Sequence, residues 1–187
     1  MIDWNKLRDK AHENSVKHGF WDNRPSDNHF LCLVISELME AVEADRKRNM
    51  ANIPYDKKGT LFDPKVFHPQ NRYFRSVFED CIKDTVEDEL ADAIIRILDL
   101  AGANGINMNI CDTVYPLLKQ GKRMFTEDIY QIVQEIVRAD NPIEVSLNMG
   151  MKMICKLATS KGIDLLWHVE QKMLYNENRE SKHGKQY

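Results

Sequence analysis

Glycine and proline are scarce in these 187 residues, eight and six respectively, and they fall between periodic segments, not inside them. Long apolar runs are missing as well. A membrane span needs roughly 18 or more consecutive apolar residues, and the longest clean run, FLCLVIS at 30–36, stops after seven. The opening MIDWNKLRDK has no apolar h-region, so no secretory signal is expected. Four cysteines (Cys32, Cys81, Cys111 and Cys155) lie tens of residues apart without CxxC spacing. That pattern argues against a zinc ribbon or a disulfide scaffold and fits a reducing cytoplasm. Charge of one sign is not in excess either. A formal net charge of −3 supplies no global attraction to nucleic acid or anionic lipid, so any phosphate binding must come from a local site. The length suits one compact domain.

What is present is helical periodicity. Residues 3–18 read as a polar amphipathic helix ending near Gly19. Asp27 is placed as the cap of a helix running to about Arg48, with Leu31, Val34, Leu38 and Val42 as its apolar stripe. Residues 49–76 lose periodicity and hold Pro54, Pro64, Pro69 and Gly59, which reads as a long surface connection. A second long helix is expected from about Val77 to Ala103. Helical patterns follow at 107–119, 126–139, 143–160 and 163–178, broken by Gly121, Asn141-Pro142 and Gly162. No window alternates like a strand, so the fold class is all-α, a helical bundle. LAGANGINM (100–108) and LATSKGIDL (157–165) share a Leu-Ala, Gly-Ile pattern. It marks either two helix ends with common capping chemistry or the brackets of an inserted helical pair.

The carboxylates carry the chemical argument. Glu37 and Glu40, at i and i+3, project from one face beside the apolar stripe of their helix. In the second long helix, Leu90, Ala91, Ala93, Ile94, Ile95, Ile97, Leu98, Leu100 and Ala101 leave almost no polar face, so that helix should be buried. Yet Glu89, Asp92, Arg96 and Asp99 run along it at spacings of three, four and three. Unpaired buried charge is costly. Either Arg96 pairs with Asp92 and Asp99 while Glu89 reaches solvent, or Glu37, Glu40, Glu89 and Asp92 face one another across two packed helices. In the second case, carboxylates about 6 Å apart repel by about 3 kcal/mol per pair at an effective dielectric of about 20. They then need protons or a divalent cation, and an all-oxygen donor set favours Mg²⁺ or Mn²⁺ over zinc or copper.

ExxE on one helix (Glu37, Glu40) and ExxD on the next (Glu89, Asp92) resemble the signature of the all-α nucleoside triphosphate pyrophosphohydrolases, the MazG-like family. The likeness extends through SELMEAVEADR (36–46), ELADAIIRILDLAGANGI (89–106) and the KMLYNENRESKHGK ending (172–185), about a quarter of the chain. It implies a helical bundle completed by oligomerisation, as a homodimer or homotetramer. It also implies a Mg²⁺-dependent enzyme, with Mn²⁺ as a substitute. Such an enzyme cleaves an NTP or dNTP between the α and β phosphates to monophosphate and pyrophosphate, in nucleotide-pool cleansing or control. The implied metal ligands are Glu37, Glu40, Glu89 and Asp92, with Glu40 also the catalytic carboxylate that orients the attacking water.

Lys172, Asn176 and Arg179, at i, i+4 and i+7, would meet the phosphates or sugar of the nucleotide; otherwise they form a solvated helix end favoured by the dipole. His12 and Trp21 are the implied base-binding residues, Trp21 as a stacking platform, against a plain core role for that indole. His183 and Lys185 either close over the triphosphate or belong to a loose tail. Ser36 stands where many members carry a further glutamate. Stretches 49–76 and 107–160 read as insertions into a single domain spanning 1–187, able to reshape the base pocket, serve as a lid or form a subunit contact.

Two other readings compete. A di-iron carboxylate bundle needs two Glu-x-x-His pairs, and only Glu180 to His183 has that spacing. A non-catalytic helical interaction module would have paired or solvated carboxylates and an adaptable surface built from methionines such as Met149, Met151 and Met153. No membrane partner is expected. The basic patch at Arg46–Arg48 is too short to argue for nucleic acid.

Overall fold

The computed structural model describes residues 3–53, 72–109 and 123–180. These residues form seven helices and no strand: α1 (Trp4–Lys17), α2 (Asp27–Lys47), α3 (Arg72–Cys81), α4 (Val86–Ala103), α5 (Phe125–Ile136), α6 (Ile143–Ser160) and α7 (Leu165–Glu177). The all-α expectation holds. Of the helical pattern anticipated at 107–119, residues 107–109 are not helical and the rest lies outside the described residues, as do most of the Pro-containing connection, Cys111, His183 and Lys185.

Helix α4 is the axis of the bundle. No residue from Val86 to Ala101 is exposed, as its apolar composition requires. Helices α1, α2, α6 and α7 all pack against it, and the α5–α6 hairpin closes the side between α2 and α4. The core they share includes Phe30, Val34 and Leu38 of α2, Leu90, Ile94, Ile97 and Leu98 of α4, and Ile129 and Ile132 of α5, all with no exposed surface. Each such side chain contributes about 1.5–3 kcal/mol relative to its exposed state. Met151 and Met153 are buried in the same core and Met149 packs against it, so the methionine cluster fills space inside the bundle. Arg46 and Lys47 of the basic patch both pair with Glu43. Cys32, Cys81 and Cys155 are free thiols. Among the described residues no helix is long and apolar enough to cross a membrane.

The single helix expected over 77–103 is two helices. The break falls at 82–85, where Asp84 takes a left-handed conformation (φ 61°) and Thr85 caps α4 by accepting the Asp88 amide. Thr85-x-x-Asp88 is an N-terminal signature that apolar periodicity alone does not reveal. The break frees α3 to place Phe74, Phe78 and Ile82 in a second small core against Tyr175 of α7, with the Phe78 and Tyr175 rings stacked at 4.3 Å. A smaller correction concerns α2: Ser26 occupies the cap position and Asp27 sits in the first turn, accepting from Asn104 Nδ2 at 3.2 Å.

The sequence echo is a shared helix ending. Ile106 N–H donates to Ala101 O and Ile163 N–H to Ala158 O, both at 2.9 Å, across Gly105 (φ 64°) and Gly162 (φ 73°). These are two Schellman caps, with glycine in the left-handed position and alanine three residues from the helix end.

Gly102 has a different reason for being glycine. A Cβ there would lie 2.5 Å from His12 Cβ and 3.3 Å from the Arg8 carbonyl oxygen, at the crossing of α1 and α4. Neither neighbour is the end of a flexible side chain. Gly102→Ala gains about 1 kcal/mol of helix propensity and incurs an overpacking cost of about 1–3 kcal/mol. The expected outcome is net destabilisation of about 1 kcal/mol in denaturant unfolding, with the transition staying cooperative.

Candidate metal centre

Two turns of α2 and the first two turns of α4 supply the carboxylates. Glu37, on the core-facing side of α2, is 5% exposed, and Glu89, in the first turn of α4, is 4% exposed. Asp92 lies one turn further along α4 and is half-buried. One oxygen from each of the three lies within 4.8 Å of the others. At that spacing each ionised pair repels by about 3 kcal/mol at an effective dielectric of about 20. Glu40 is exposed at the edge of this group, accepting a hydrogen bond from Ser36 Oγ at 3.3 Å. Its charge still acts on both Glu37 and Glu89.

Two cations reach the cluster from within the protein. Arg96 Nε donates to Glu37 Oε1 at 3.1 Å. Lys172 of α7, itself 4% exposed, donates to Asp88 Oδ2 at 2.7 Å and lies 2.8 Å from Asp92 Oδ2. Asp88 and Asp92 are one helical turn apart, so one ammonium bridges both. The Phe78 ring, its centroid 5.6 Å from Nζ, faces the same ammonium. Glu89 is the exception: among the described residues its buried carboxylate has no hydrogen bond and no ion pair.

The electrostatics follow from this geometry. Burial first, then the Asp92 and Asp88 charges, push the Glu89 carboxyl up to about 9, with Lys172 acting against them. Burial and Asp92 raise Glu37 to about 7, opposed by Arg96. Burial raises Asp88 to about 6 despite Lys172. Burial alone would depress Lys172, but the Asp92 and Asp88 charges hold it above the ordinary lysine value. The N-terminus of α4 adds a favourable dipole for the negative charges of its first turn.

Beyond Glu37 and Asp92 a polar cleft of about 50 Å³ continues along α4, lined among others by Asn14, Ser15, Arg96, Asp99, Asn176 and Arg179. Asn176 is 6% exposed and its Oδ1 is buried without a partner. Lys172 and Asn176 are therefore interior groups, not a solvated helix end, while Arg179 is half-buried with its guanidinium over Tyr175. Asp99 is the hub at the far end. It accepts from His12 Nδ1 (2.9 Å), Trp21 Nε1 (2.9 Å) and Ser15 Oγ (2.7 Å). His12 and Trp21 are thus brought together, edge to face at 5.2 Å, and Trp21 stacks on Phe30 at 4.0 Å. One face of the indole is already covered.

One of the two sequence readings paired Arg96 with Asp92 and Asp99; its ion-pair partner is Glu37, across the α2–α4 interface. Asp88 was not singled out at all, although its i+4 spacing to Asp92 is visible in the chain. A second acidic group, Asp84, Asp88 and Glu89, also converges. Its Asp84 is exposed and both its oxygens are held by Lys83 at 2.8 and 2.7 Å, so it is the weaker candidate for a cation.

The raised carboxyls make stability depend on pH in a definite direction. Between the ordinary glutamate value of 4.5 and about 9, the unfolded chain ionises Glu89 while the folded chain keeps it protonated. The folded state binds more protons, so its stability falls as pH rises. Metal-free protein should lose stability between pH 5 and pH 9 in denaturant titrations, and Glu89→Gln should flatten that slope. A divalent cation, which binds the ionised form, should restore stability at the alkaline end. Compared with protein-family models, curated proteins and solved structures, the chain matches none, and its site stands on its own geometry.

Proposed function

We propose that this chain is a Mg²⁺-dependent nucleoside triphosphate pyrophosphohydrolase, converting an NTP or dNTP to the monophosphate and pyrophosphate in nucleotide-pool cleansing or control. The observation that carries the reading is the convergence of Glu37, Glu89 and Asp92, an oxygen of each within 4.8 Å of the others, on residues of which Glu37 and Glu89 are 5% and 4% exposed. Such an arrangement is costly unless something positive completes it. The donors are all carboxylate oxygens, which suits a hard cation such as Mg²⁺ or Mn²⁺. Glu37, Glu89 and Asp92 would hold it, with Glu40 completing the set from the exposed edge. A cation there supplies Lewis acidity and neutralises charge on the phosphoryl oxygens.

The chain's own groups account for the remaining tasks. Glu40, solvent-exposed and one turn from Glu37, would orient a water and accept its proton. Arg96 and Arg179 line the adjoining cleft, where guanidinium groups suit phosphate oxygens. Asn176 offers a buried carbonyl oxygen to a donor on the ligand. His12 and Trp21, locked by Asp99, would border the base. The resemblance described above adds the homodimer or homotetramer and the α–β bond as the point of cleavage. A non-catalytic helical module draws support from the internal pairing of Glu37 with Arg96 and Asp92 with Lys172, but it leaves Glu89 without a role.

Product analysis with a panel of canonical and modified nucleoside triphosphates, with Mg²⁺ and with EDTA, tests the proposal. Metal-dependent monophosphate plus pyrophosphate is expected, and the rate ranking identifies the substrate. Asp92→Asn or Glu40→Gln should lower turnover by about 10²-fold or more with unchanged helicity by circular dichroism. Absence of turnover together with absence of Mg²⁺ binding by calorimetry would favour the helical module, and full activity in either variant would remove the metal-site assignment.

A further inference from the structure

Two carboxylates of the cluster are each half-committed to an internal cation. Glu37 gives Oε1 to Arg96 at 3.1 Å, and Asp92 gives Oδ2 to Lys172 at 2.8 Å. No other side-chain bond engages Glu37 Oε2 or Asp92 Oδ1 among the described residues. Both cations are well placed to hold their oxygens: the Lys172 side chain is 5% exposed and anchored by Asp88, and the Arg96 side chain is 16% exposed and rests over the Phe20 ring at 5.5 Å. They come from different elements, so the arrangement depends on the packing of three helices at once.

We infer that Arg96 and Lys172 are positioning residues that make Glu37 and Asp92 one-oxygen ligands, so that the site selects a small octahedral divalent cation and rejects Ca²⁺. The inference rests on the metal-site reading above and concerns which cation that site accepts. The physical reason is coordination geometry. Ca²⁺ takes six to eight oxygens and gains from bidentate carboxylates, whereas Mg²⁺ demands near-ideal octahedral geometry at short distance and takes carboxylates one oxygen at a time. A carboxylate whose second oxygen is fastened to a cation held by packing cannot turn to offer both. Outer partners of ligating groups set their orientation in this way. The two positive charges also lower the cluster's affinity for every divalent ion, but that effect acts on Mg²⁺, Mn²⁺ and Ca²⁺ alike and cancels in a ratio.

The test is metal binding on the intact chain, without substrate, by isothermal calorimetry with Mg²⁺, Mn²⁺ and Ca²⁺, and by competition of Ca²⁺ against Mn²⁺ read by electron paramagnetic resonance. Wild-type protein should bind Mn²⁺ at least about tenfold more tightly than Ca²⁺. In Arg96→Gln the ratio should move toward Ca²⁺ by about tenfold or more as Glu37 becomes free to use both oxygens; Lys172→Gln should do the same through Asp92. Lys172 is buried between two aspartates, so its removal risks unfolding. The infrared carboxylate stretches of wild-type protein on adding Mg²⁺ supply a readout that needs no variant. A wide splitting between the asymmetric and symmetric bands, the one-oxygen pattern, is expected. A bidentate pattern in the wild type, or an unchanged Ca²⁺-to-Mn²⁺ ratio in folded, metal-binding Arg96→Gln, overturns the inference and leaves the metal site standing. No divalent binding at all in the wild type overturns both.

Discussion

Helix α4 has no exposed residue from Val86 to Ala101, yet it carries Glu87, Asp88, Glu89, Asp92, Arg96 and Asp99. Burying a charge without a partner is expensive enough that each of these groups needs a counterpart on another element. The bundle is arranged around that requirement. Glu87 accepts from the Ala51 amide at 2.8 Å, tying the chain that leaves α2 to the start of α4. Asp88 and Asp92 share Lys172 of α7, Arg96 reaches Glu37 of α2, and Asp99 gathers His12, Ser15 and Trp21. Three of the packing partners of α4 are thereby fastened by a polar contact as well as by apolar burial.

Glu89 is where that satisfaction stops. Its neighbours are other acids, and its carboxyl is pushed up to about 9 because ionising it adds charge to an already negative, poorly solvated group. Proteins keep such conflicts where chemistry needs them, since perturbed carboxylates concentrate at functional sites. The apolar core around α4 makes the conflict tolerable by holding α2 and α4 in a register that two repelling side chains could not maintain alone. Asp92, one turn from Glu89, and Glu37 open the cleft that continues along α4 toward Asp99.

Much of the architecture was legible in the chain. Helical periodicity without strand alternation, the buried character of residues 90–101 and the i, i+3 spacing of Glu37 with Glu40 and Glu89 with Asp92 all follow from local pattern. The break at 82–85 was missed because apolar periodicity runs through it; the Thr85 cap, a polar signal, was the clue. The repeated Leu-Ala, Gly-Ile text turned out to encode two Schellman caps, which is local chemistry readable once glycine and alanine are assigned their positions.

Partners across helices are another matter. Spacing placed Arg96 on the same face as Asp92 and Asp99, and on an isolated helix those would be its neighbours. The relative register of α2 and α4, set by Phe30, Val34 and Leu38 meeting Leu90, Ile94 and Ile97, delivers Glu37 to it instead. The same holds for Lys172, which sequence could assign to solvent or ligand but which the packing of α7 buries between two aspartates. The amino-acid sequence by itself determined which residues are helical, which face of each helix is apolar and which acids lie a turn apart. Only tertiary packing decided which of those acids are neutralised from within and that Glu89 is not, because charge pairing across a bundle depends on helix register and no local interaction specifies it.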